Sequence, residues 1–341
     1  MTLERAKYLD SQDVLKHFRK QFHMPVLDGK QVVYFCGNSL GLQPAKAKEY
    51  FDTELESWSK WGVEGHFHGK HPWLHYHKLF SKSLAKITGA KAAEVVAMNT
   101  LTTNLHLMLT TFYRPTARRY KIITEAGSFS SDIYALSSQV KLHGLDPKKV
   151  IVELKPRKGE YTLRTEDIVK QIQRHRSSLA LVMMGGVNYY TGQAFEMEVI
   201  AKATHKAGAK AGFDLAHAIG NIPLNLHKWD IDFAVWCTYK YLNSGPGAVG
   251  GLFIHEKHAK NRALPRLAGW WGNEEKDRFQ MKPVFQPTPT AEGWQLSNAQ
   301  VFNMIAHKAS LELFDEAGMK ALVKKSRAMT TFLEDLIKTE C

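Results

Sequence analysis

Short apolar segments alternate with longer amphipathic segments along most of the 341 residues. This alternation predicts βαβ units and a mostly parallel sheet, whose strands are apolar throughout because helices cover both faces. The segments that fit such strands are 32–35, 95–98, 120–124, 150–154, 179–184, 210–214, 233–237 and 249–254. The sequence therefore predicts an α/β protein.

The segments between these strands have helical periodicity, and several have recognisable ends. Thr165, followed by two acids, is a typical helix start, while Gly208 and Gly318 are typical helix stops. The predicted helices are 45–60, 73–87, 131–143, 165–176, 197–207, 298–317 and 320–338. The proline-containing segment 272–293 is the longest irregular stretch and is predicted to be a functional loop.

Composition and charge exclude several classes of protein. With 44% hydrophobic and 23% charged residues, the chain is an ordinary globular sequence. It has no apolar run near the ~18 residues of a membrane span and no signal-peptide pattern, which predicts a cytoplasmic protein without membrane contact. The net charge of +13 would suit a polyanion. The basic residues are scattered without a nucleic-acid-binding motif, so no nucleic acid is expected as a partner.

Three chemically useful side chains follow two neighbouring predicted strands. Asp214 ends one strand, His217 lies in the loop after it, and Lys240 follows the next strand between two tyrosines. Carboxyl ends of parallel strands meet at one edge of a sheet, so the three side chains are expected to converge. A lysine that can form a Schiff base and a carboxylate that pairs with a pyridine nitrogen are what pyridoxal phosphate (PLP) requires. The alternative is that Asp214 caps a helix and Lys240 is a surface lysine.

Other motifs are weaker. Segment 99–104 (NTLTTN) follows a strand and opens a helix, so it can offer amides and hydroxyls to a phosphate, or be a simple helix cap. Phe129 can stack on a planar ring or belong to the core. Five histidines between His66 and His77 have no suitable metal-ligand spacing, and the three cysteines form no CxxC pattern, so no metal site is predicted. Segment 245–250 matches GxGxxG, but a strand follows it, which indicates a turn.

Taken together, these motifs resemble the kynureninase family, PLP enzymes of fold type I (the aspartate aminotransferase fold). The matching stretches are YFCGNSLGLQP (34–44), NTLTTNLHLML (99–109), FSSD (129–132), YYTGQ (189–193), GFDLAHAIGN (212–221), WCTYKYLNSGPG (236–247), AGWWG (268–272), DRFQM (277–281) and QLSN (295–298). The resemblance implies a large PLP-binding α/β domain over 41–295. It also implies a small domain that receives 1–40 and begins again at 296–341, where it is C-terminally incomplete relative to the family.

The resemblance also implies residue roles. Lys240 binds the cofactor covalently and transfers protons, and Tyr239 is a proton donor. Asp214 pairs with the pyridine nitrogen and Phe129 stacks on the ring. The other cofactor-binding positions implied are Leu101, Thr102, Ser130, Ser131, Asp132, His217, Tyr239, Trp270 and Asn298, with Trp270 supplied by the second subunit of a homodimer. The substrate-binding positions implied are Ser39, His66 and Asn298.

The implied reaction is hydrolysis of the Cβ–Cγ bond of L-kynurenine or 3-hydroxy-L-kynurenine, which gives L-alanine and anthranilate or 3-hydroxyanthranilate in tryptophan degradation and NAD biosynthesis. His66 with Asn298 resembles members that prefer the hydroxylated substrate. Two departures stand out. Gly185 stands where the family often has a serine or threonine near the phosphate, and the family's RG-x-QLS stretch, whose arginine binds the substrate carboxylate, has no counterpart here. A second hypothesis is therefore a PLP-fold protein that binds cofactor or a partner without efficient turnover.

Overall fold

A seven-stranded sheet forms the centre of the protein, seen in a computed structural model that describes residues 2–340. In the order in which they lie side by side, its strands are β5 (Val95–Ala97), β11 (Gly250–Ile254), β10 (Phe233–Cys237), β9 (Lys210–Asp214), β8 (Leu179–Gly185), β6 (Lys121–Glu125) and β7 (Ile151–Leu154). Neighbours from β10 to β7 are parallel, and β11 runs antiparallel to both of its neighbours. The predicted mostly parallel sheet is confirmed.

The predicted strand at 32–35 is wrong. This part of the chain instead contains two short antiparallel pairs, β1 (Phe22–His23) with β4 (Gln43–Pro44) and β2 (Val26–Leu27) with β3 (Lys30–Gln31). Val33 and Phe35 are 77% and 81% exposed. An apolar run becomes a strand only where a partner strand and a covering layer meet it, and segment 32–35 has neither in the described chain.

Helices cover both faces of the sheet. The helices of the described chain are α1 (Thr2–Gln12), α2 (Ala47–Trp61), α3 (Ser81–Thr88), α4 (Leu101–Phe112), α5 (Ser130–Leu142), α6 (Pro147–Val150), α7 (Thr165–Arg174), α8 (Met197–Lys206), α9 (Glu256–Ala259), α10 (Glu275–Arg278), α11 (Val301–Ala317) and α12 (Met319–Glu340). The predicted helix at 73–87 is divided at Phe80 into α3 and a 3-10 segment (Trp73–Leu79), which is itself kinked at His75 (φ −115°, ψ 15°). The break at Gly318 is confirmed.

Alternate residues of each central strand enter two different hydrophobic clusters. In β10, Ala234 and Trp236 face the cluster that contains α7 and α8, whereas Phe233 and Val235 face the cluster that contains α4 and α5. All four side chains are fully buried. Both faces of the sheet are therefore covered, which leaves the ends of the strands as the places where polar side chains can meet a ligand.

The N-terminal helix lies beside the C-terminal one. Arg5 on α1 donates to Asp335 on α12 at 2.8 Å, and Lys325 contacts Asp13 at 2.5 Å. α11 packs against α2 and α3. The division into a large and a small domain stays a prediction. Within residues 2–340, none of the helices is long and apolar enough to cross a membrane.

Candidate active site

The candidate site lies where the chain reverses its direction across the sheet. After β6, the chain adds β7 on one side, and then returns to add β8, β9 and β10 on the other. A crevice opens outside the carboxyl ends of strands at such a switch point, and ligands of open α/β sheets bind there. A cavity of about 80 Å³ occupies this position, bordered by Glu125 of β6, Gly185 of β8 and Asp214 of β9.

Lys240 and His217 meet in this cavity. Lys240 Nζ lies 2.9 Å from His217 Nε2. Burial, and then the charge of Lys240, lower the pKa of His217 to about 4. The imidazole is therefore neutral at physiological pH, and Nε2 can accept a hydrogen bond from the lysine ammonium.

Segment 36–41 holds the turn that carries Lys240. The Gly41 N–H donates to the Tyr239 carbonyl at 2.7 Å. A Cβ at position 41 would lie within 2.7 Å of atoms of Lys240 and Asn243. Only glycine allows the two backbones to approach this closely, which gives the GNSLG stretch a structural reason.

Asp214 and Asp132 form a buried carboxyl pair beside Lys240. Each residue is only 7% exposed, and Asp214 Oδ1 accepts the Ala216 N–H at 2.7 Å. Burial, and then the charge of Asp214, raise the pKa of Asp132 well above its usual value, which favours the protonated form of Asp132. Within residues 2–340, Asp132 Oδ1 has no hydrogen-bond partner although it is buried. A buried carboxylate and an unpartnered polar atom fit a protonated aromatic nitrogen held between them.

The start of α4 provides an anion site near the same cavity. Thr100 precedes the helix with an extended backbone, and Leu101 and Thr102 form its first turn, where free N–H groups accumulate. Thr102 Oγ1 lies 2.8 Å from Ser131 Oγ at the start of α5. Two helix starts and two hydroxyls are a donor set that suits a phosphate group, and the residues present therefore fit PLP.

Two aromatic residues border the lysine. The Phe129 ring centre is 5.8 Å from Lys240 Nζ, and the ring is 51% exposed. The Tyr239 ring centre is 6.0 Å from the same nitrogen. Burial, and then Cys237, raise the pKa of Tyr239 to about 12, so its hydroxyl keeps its proton at neutral pH.

Comparison with known proteins agrees with this geometry. The aminotransferase class-V family matches residues 51–340. The chain is 58% identical to a kynureninase of Myxococcus xanthus over 97% of this chain and 78% of that protein. It is 50% identical to a kynureninase of Nematostella vectensis over 98% of this chain and 74% of that protein.

The chain belongs to the kynureninase family. Solved structures of more distant proteins share its fold. A cysteine desulfurase from Thermococcus onnurineus superimposes with a TM-score of 0.72 at 20% identity, over 98% of this chain and 77% of that one. A C-DES variant with glycine covalently linked to its PLP cofactor gives 0.72 at 16% identity, over 90% of this chain and 76% of that one. At this identity the likeness concerns the fold alone.

The structure brings most of the residues predicted from the kynureninase motifs together in one cavity. Those that line it are Leu101, Thr102, Phe129, Ser131, Asp132, Asp214, His217, Tyr239 and Lys240. The other predicted residues do not line this cavity, namely Ser130, Trp270, Asn298, Ser39 and His66. Trp270 is 47% exposed and donates through Nε1 to the Arg278 carbonyl, while His66 packs edge-to-face on Trp73. Within one chain, the predicted substrate positions therefore lie outside the lining of the Lys240 cavity.

Several lining residues were missed by the sequence analysis, among them Glu125, Asn188 and Tyr189. Glu125 carries the same signal as Asp214, since it is an acid at the last position of an apolar strand. That signal could have identified it.

The histidine-rich segment does not form a cluster. His71 lies 3.1 Å from Glu54, and His77 lies 3.3 Å from Glu292. These contacts pair each histidine with a different glutamate, so the two act as separate structural side chains.

A different group has donor atoms within 4.8 Å of one another, namely Glu94, His227 and His255. The Glu94 carboxylate already accepts the N–H groups of Lys91 and Glu256, and His227 Nδ1 lies 2.9 Å from it. The two imidazole rings are stacked at 4.9 Å and 15°. Parallel rings cannot both direct an in-plane lone pair at one ion, so the arrangement is that of a hydrogen-bonded helix cap.

Proposed function

We propose that this protein uses PLP to hydrolyse the Cβ–Cγ bond of L-kynurenine or 3-hydroxy-L-kynurenine, and that it releases L-alanine and anthranilate or 3-hydroxyanthranilate. The observation that carries the proposal is the lysine-containing cavity with a buried carboxyl pair, in a chain 58% identical to a kynureninase. Identity over nearly the whole chain favours turnover over the binding-only hypothesis.

The residues of the cavity have separate tasks. PLP, when bound, serves as an electron sink for the substrate carbon that loses a proton. Lys240 holds the cofactor through its Nζ, and Asp214 holds the proton on the pyridine nitrogen. The first turn of α4 binds the phosphate with help from Ser131, and Phe129 covers the ring.

Two side chains move protons. The Lys240 amine, once displaced by the substrate amine, takes the Cα proton, and the neutral His217 at 2.9 Å can accept a hydrogen bond from it. Water then adds to the γ-carbonyl carbon, the Cβ–Cγ bond breaks, and Tyr239 donates a proton at Cβ. A phenol whose pKa is about 12 suits this donor role, because it stays protonated until the carbanion forms.

The proposal is tested first by cofactor attachment. Purified protein is mixed with PLP, reduced with borohydride and digested, and the labelled peptide is identified by mass spectrometry. We expect the label on Lys240. Lys240→Ala should carry no label, whereas Lys228→Ala, which removes an exposed lysine, should be labelled as the wild type is.

Product formation is the second test. We expect fluorescent anthranilate and an equal amount of alanine from kynurenine, with no activity in Lys240→Ala. Anthranilate formed equally by Lys240→Ala would contradict the proposal. Relative rates with the two substrates test the predicted preference for the hydroxylated one.

A homodimer with shared sites is part of the proposal. Trp270, Phe279 and Met281 are 47%, 54% and 76% exposed, an apolar group suited to a second subunit. We expect a dimer by light scattering. We also expect mixing of inactive Lys240→Ala and impaired Trp270→Ala chains to restore activity, because one site of the mixed dimer then has both side chains. No recovery after subunit exchange would contradict the sharing of Trp270.

Some assignments remain predictions from the sequence. They are the cytoplasmic location, the role of Ser130 in binding the cofactor, the substrate-binding roles of Ser39 and His66, and the double role of Asn298.

A further inference from the structure

Glu125 is a buried acid at the border of the Lys240 cavity. It ends β6, its side chain is 3% exposed, and its two carboxyl oxygens lie 3.1 and 3.3 Å from the Gly185 nitrogen. Thr124 Oγ1 is 3.4 Å from Oε2, a weak contact. Among the described residues, the carboxyl of Glu125 forms no ion pair.

The neighbours of Glu125 make its negative charge costly. Asp132 from α5 and Asp214 from β9 line the same cavity, and its other ionisable side chains are Lys240, His217, Tyr189 and Tyr239. Three ionised carboxylates would face one ammonium group, because His217 is neutral. In a buried site with this excess of negative charge, some of the carboxyl groups keep their protons.

The proton is best placed on Glu125 and Asp132 rather than on Asp214. Asp214 accepts a short N–H bond from Ala216, at 2.7 Å, and it faces Lys240. Glu125 shares the Gly185 N–H between its two oxygens at the longer distances of 3.1 and 3.3 Å, and the hydrogen bonds to it from its own N–H and from Ser128 do not offset its burial. Burial raises the pKa of Glu125 to about 7, and the charge of Asp214 adds to this.

Glu125 also has a route to solvent. It borders a second cavity of about 290 Å³, which we name the aromatic cleft, formed with Tyr161, Tyr189 and Tyr190. Tyr161 and Tyr190 are 88% and 85% exposed, so the cleft is open. A carboxyl that borders both cavities can exchange its proton with water while it remains buried.

The Glu125 carboxyl is connected to Asp214 through the backbone. Gly185, whose N–H it binds, lies opposite Asp214 in the β8–β9 register, and the next N–H, of Gly186, donates to the Asp214 carbonyl at 2.7 Å. Ionisation of Glu125 therefore acts on Asp214 in two ways, through its charge and through the end of β8.

We propose that Glu125 is a positioning residue that holds the exchangeable proton of the Lys240 cavity and so sets the pH at which the Asp132–Asp214 pair changes its charge. As pH rises and Glu125 ionises, its charge increases the proton affinity of its neighbours and of a pyridine nitrogen held by Asp214. The consequence for the cofactor rests on the proposed function, but the titration of Glu125 itself does not.

The matched variants are Glu125→Gln and Glu153→Gln. The first keeps the shape and an acceptor for Gly185 but cannot ionise. The second makes the same change at an exposed acid of β7, the strand next to β6. A role confined to shape would leave the pH behaviour of Glu125→Gln unchanged.

The first measurement is infrared titration of the cofactor-free protein, which follows the C=O stretch of protonated carboxyls. We expect a band that disappears with a midpoint near pH 7 in the wild type and in Glu153→Gln, and that is missing in Glu125→Gln. A band that disappears near pH 7 in Glu125→Gln as well, or the absence of such a band from the wild type, would overturn the proposal.

The second measurement is the pH dependence of the visible absorption of the PLP-loaded protein. We expect the midpoint in Glu125→Gln to be lower than in Glu153→Gln by about half a pH unit or more, because a nearby negative charge is gone. Equal midpoints would overturn the influence of Glu125 on the pair. If PLP does not attach to Lys240 in the wild type, the proposed function fails, and the infrared titration still decides whether Glu125 holds the proton.

Discussion

Gly212 is the position where a single methyl group should disturb both the core and the candidate site. It lies opposite Phe233 in the β9–β10 register, two residues before Asp214. A Cβ at position 212 would lie within 2.6 Å of three atoms of the Phe233 ring. The ring has no room to move, since it is fully buried and stacked on Phe112 at 4.8 Å and 18°.

Two opposing terms set the magnitude for Gly212→Ala. Overpacking of a rigid core costs about 1–3 kcal/mol, and a fixed ring at this distance belongs at the upper end. The lower backbone entropy of alanine in the unfolded chain offsets about 0.5–1 kcal/mol. We therefore expect the free energy of unfolding to fall by about 2 kcal/mol. PLP should also bind more weakly, because the shift of β9 displaces Asp214.

Urea denaturation of the cofactor-free protein measures the first effect, with Gly37→Ala as the control. A Cβ at position 37 would meet no atom within 4 Å, so this variant should stay within about 0.5 kcal/mol of the wild type. In the Gly212→Ala/Phe233→Leu double variant, the smaller side chain should relieve the overlap and give a coupling of about 1 kcal/mol. If Gly212→Ala is as stable as Gly37→Ala, or if the two changes are simply additive, the packing argument is wrong.

Three further predictions concern single side chains. Asp232→Ala should lower the free energy of unfolding by about 3 kcal/mol in urea denaturation, because the buried carboxylate contacts two histidines and the Ala211 N–H; a loss under 1 kcal/mol would contradict this. His217 has a pKa of about 4 in the folded protein and about 6.5 in the unfolded one, so NMR should find it neutral at pH 6. Because only the unfolded protein protonates this histidine between these values, the free energy of unfolding should fall as pH falls from about 6.5 to 4. Iodoacetamide at pH 8 should modify the exposed Cys36 but not Cys237, which is buried with a pKa of about 11; equal labelling would contradict that burial.

The buried strands could be predicted from the sequence because their signal is local. β9 and β10 have the predicted bounds, since each has an apolar centre that is covered on both faces. Segment 32–35 has the same local pattern, but it lacks the neighbouring strand that a run needs. Pairing partners lie far along the chain, and apolar periodicity carries no information about them.

The candidate site was predictable where the fold itself creates the convergence. Asp214, His217 and Lys240 meet because strand ends meet at one edge of a parallel sheet. Trp270 and Asn298 do not line the Lys240 cavity within one chain, and the predicted role of Trp270 depends on a second subunit. No spacing rule within a sequence describes contacts between two copies of it.

Gly185 links the missed residue to a departure seen in the sequence, the absence of a hydroxyl that kynureninases often have there. The Gly185 N–H binds Glu125, and a Cβ at position 185 would lie 3.0 Å from Glu125 Oε1. A side chain at this position would therefore meet the carboxyl, whereas glycine leaves Glu125 with a backbone N–H as its main donor. The Gly185 N–H alone stabilises an ionised carboxylate less than this N–H and a side-chain hydroxyl together would. The glycine at position 185 therefore affects the charge of Glu125 as well as the contacts available to the phosphate. It keeps the pKa of Glu125 close to neutral pH.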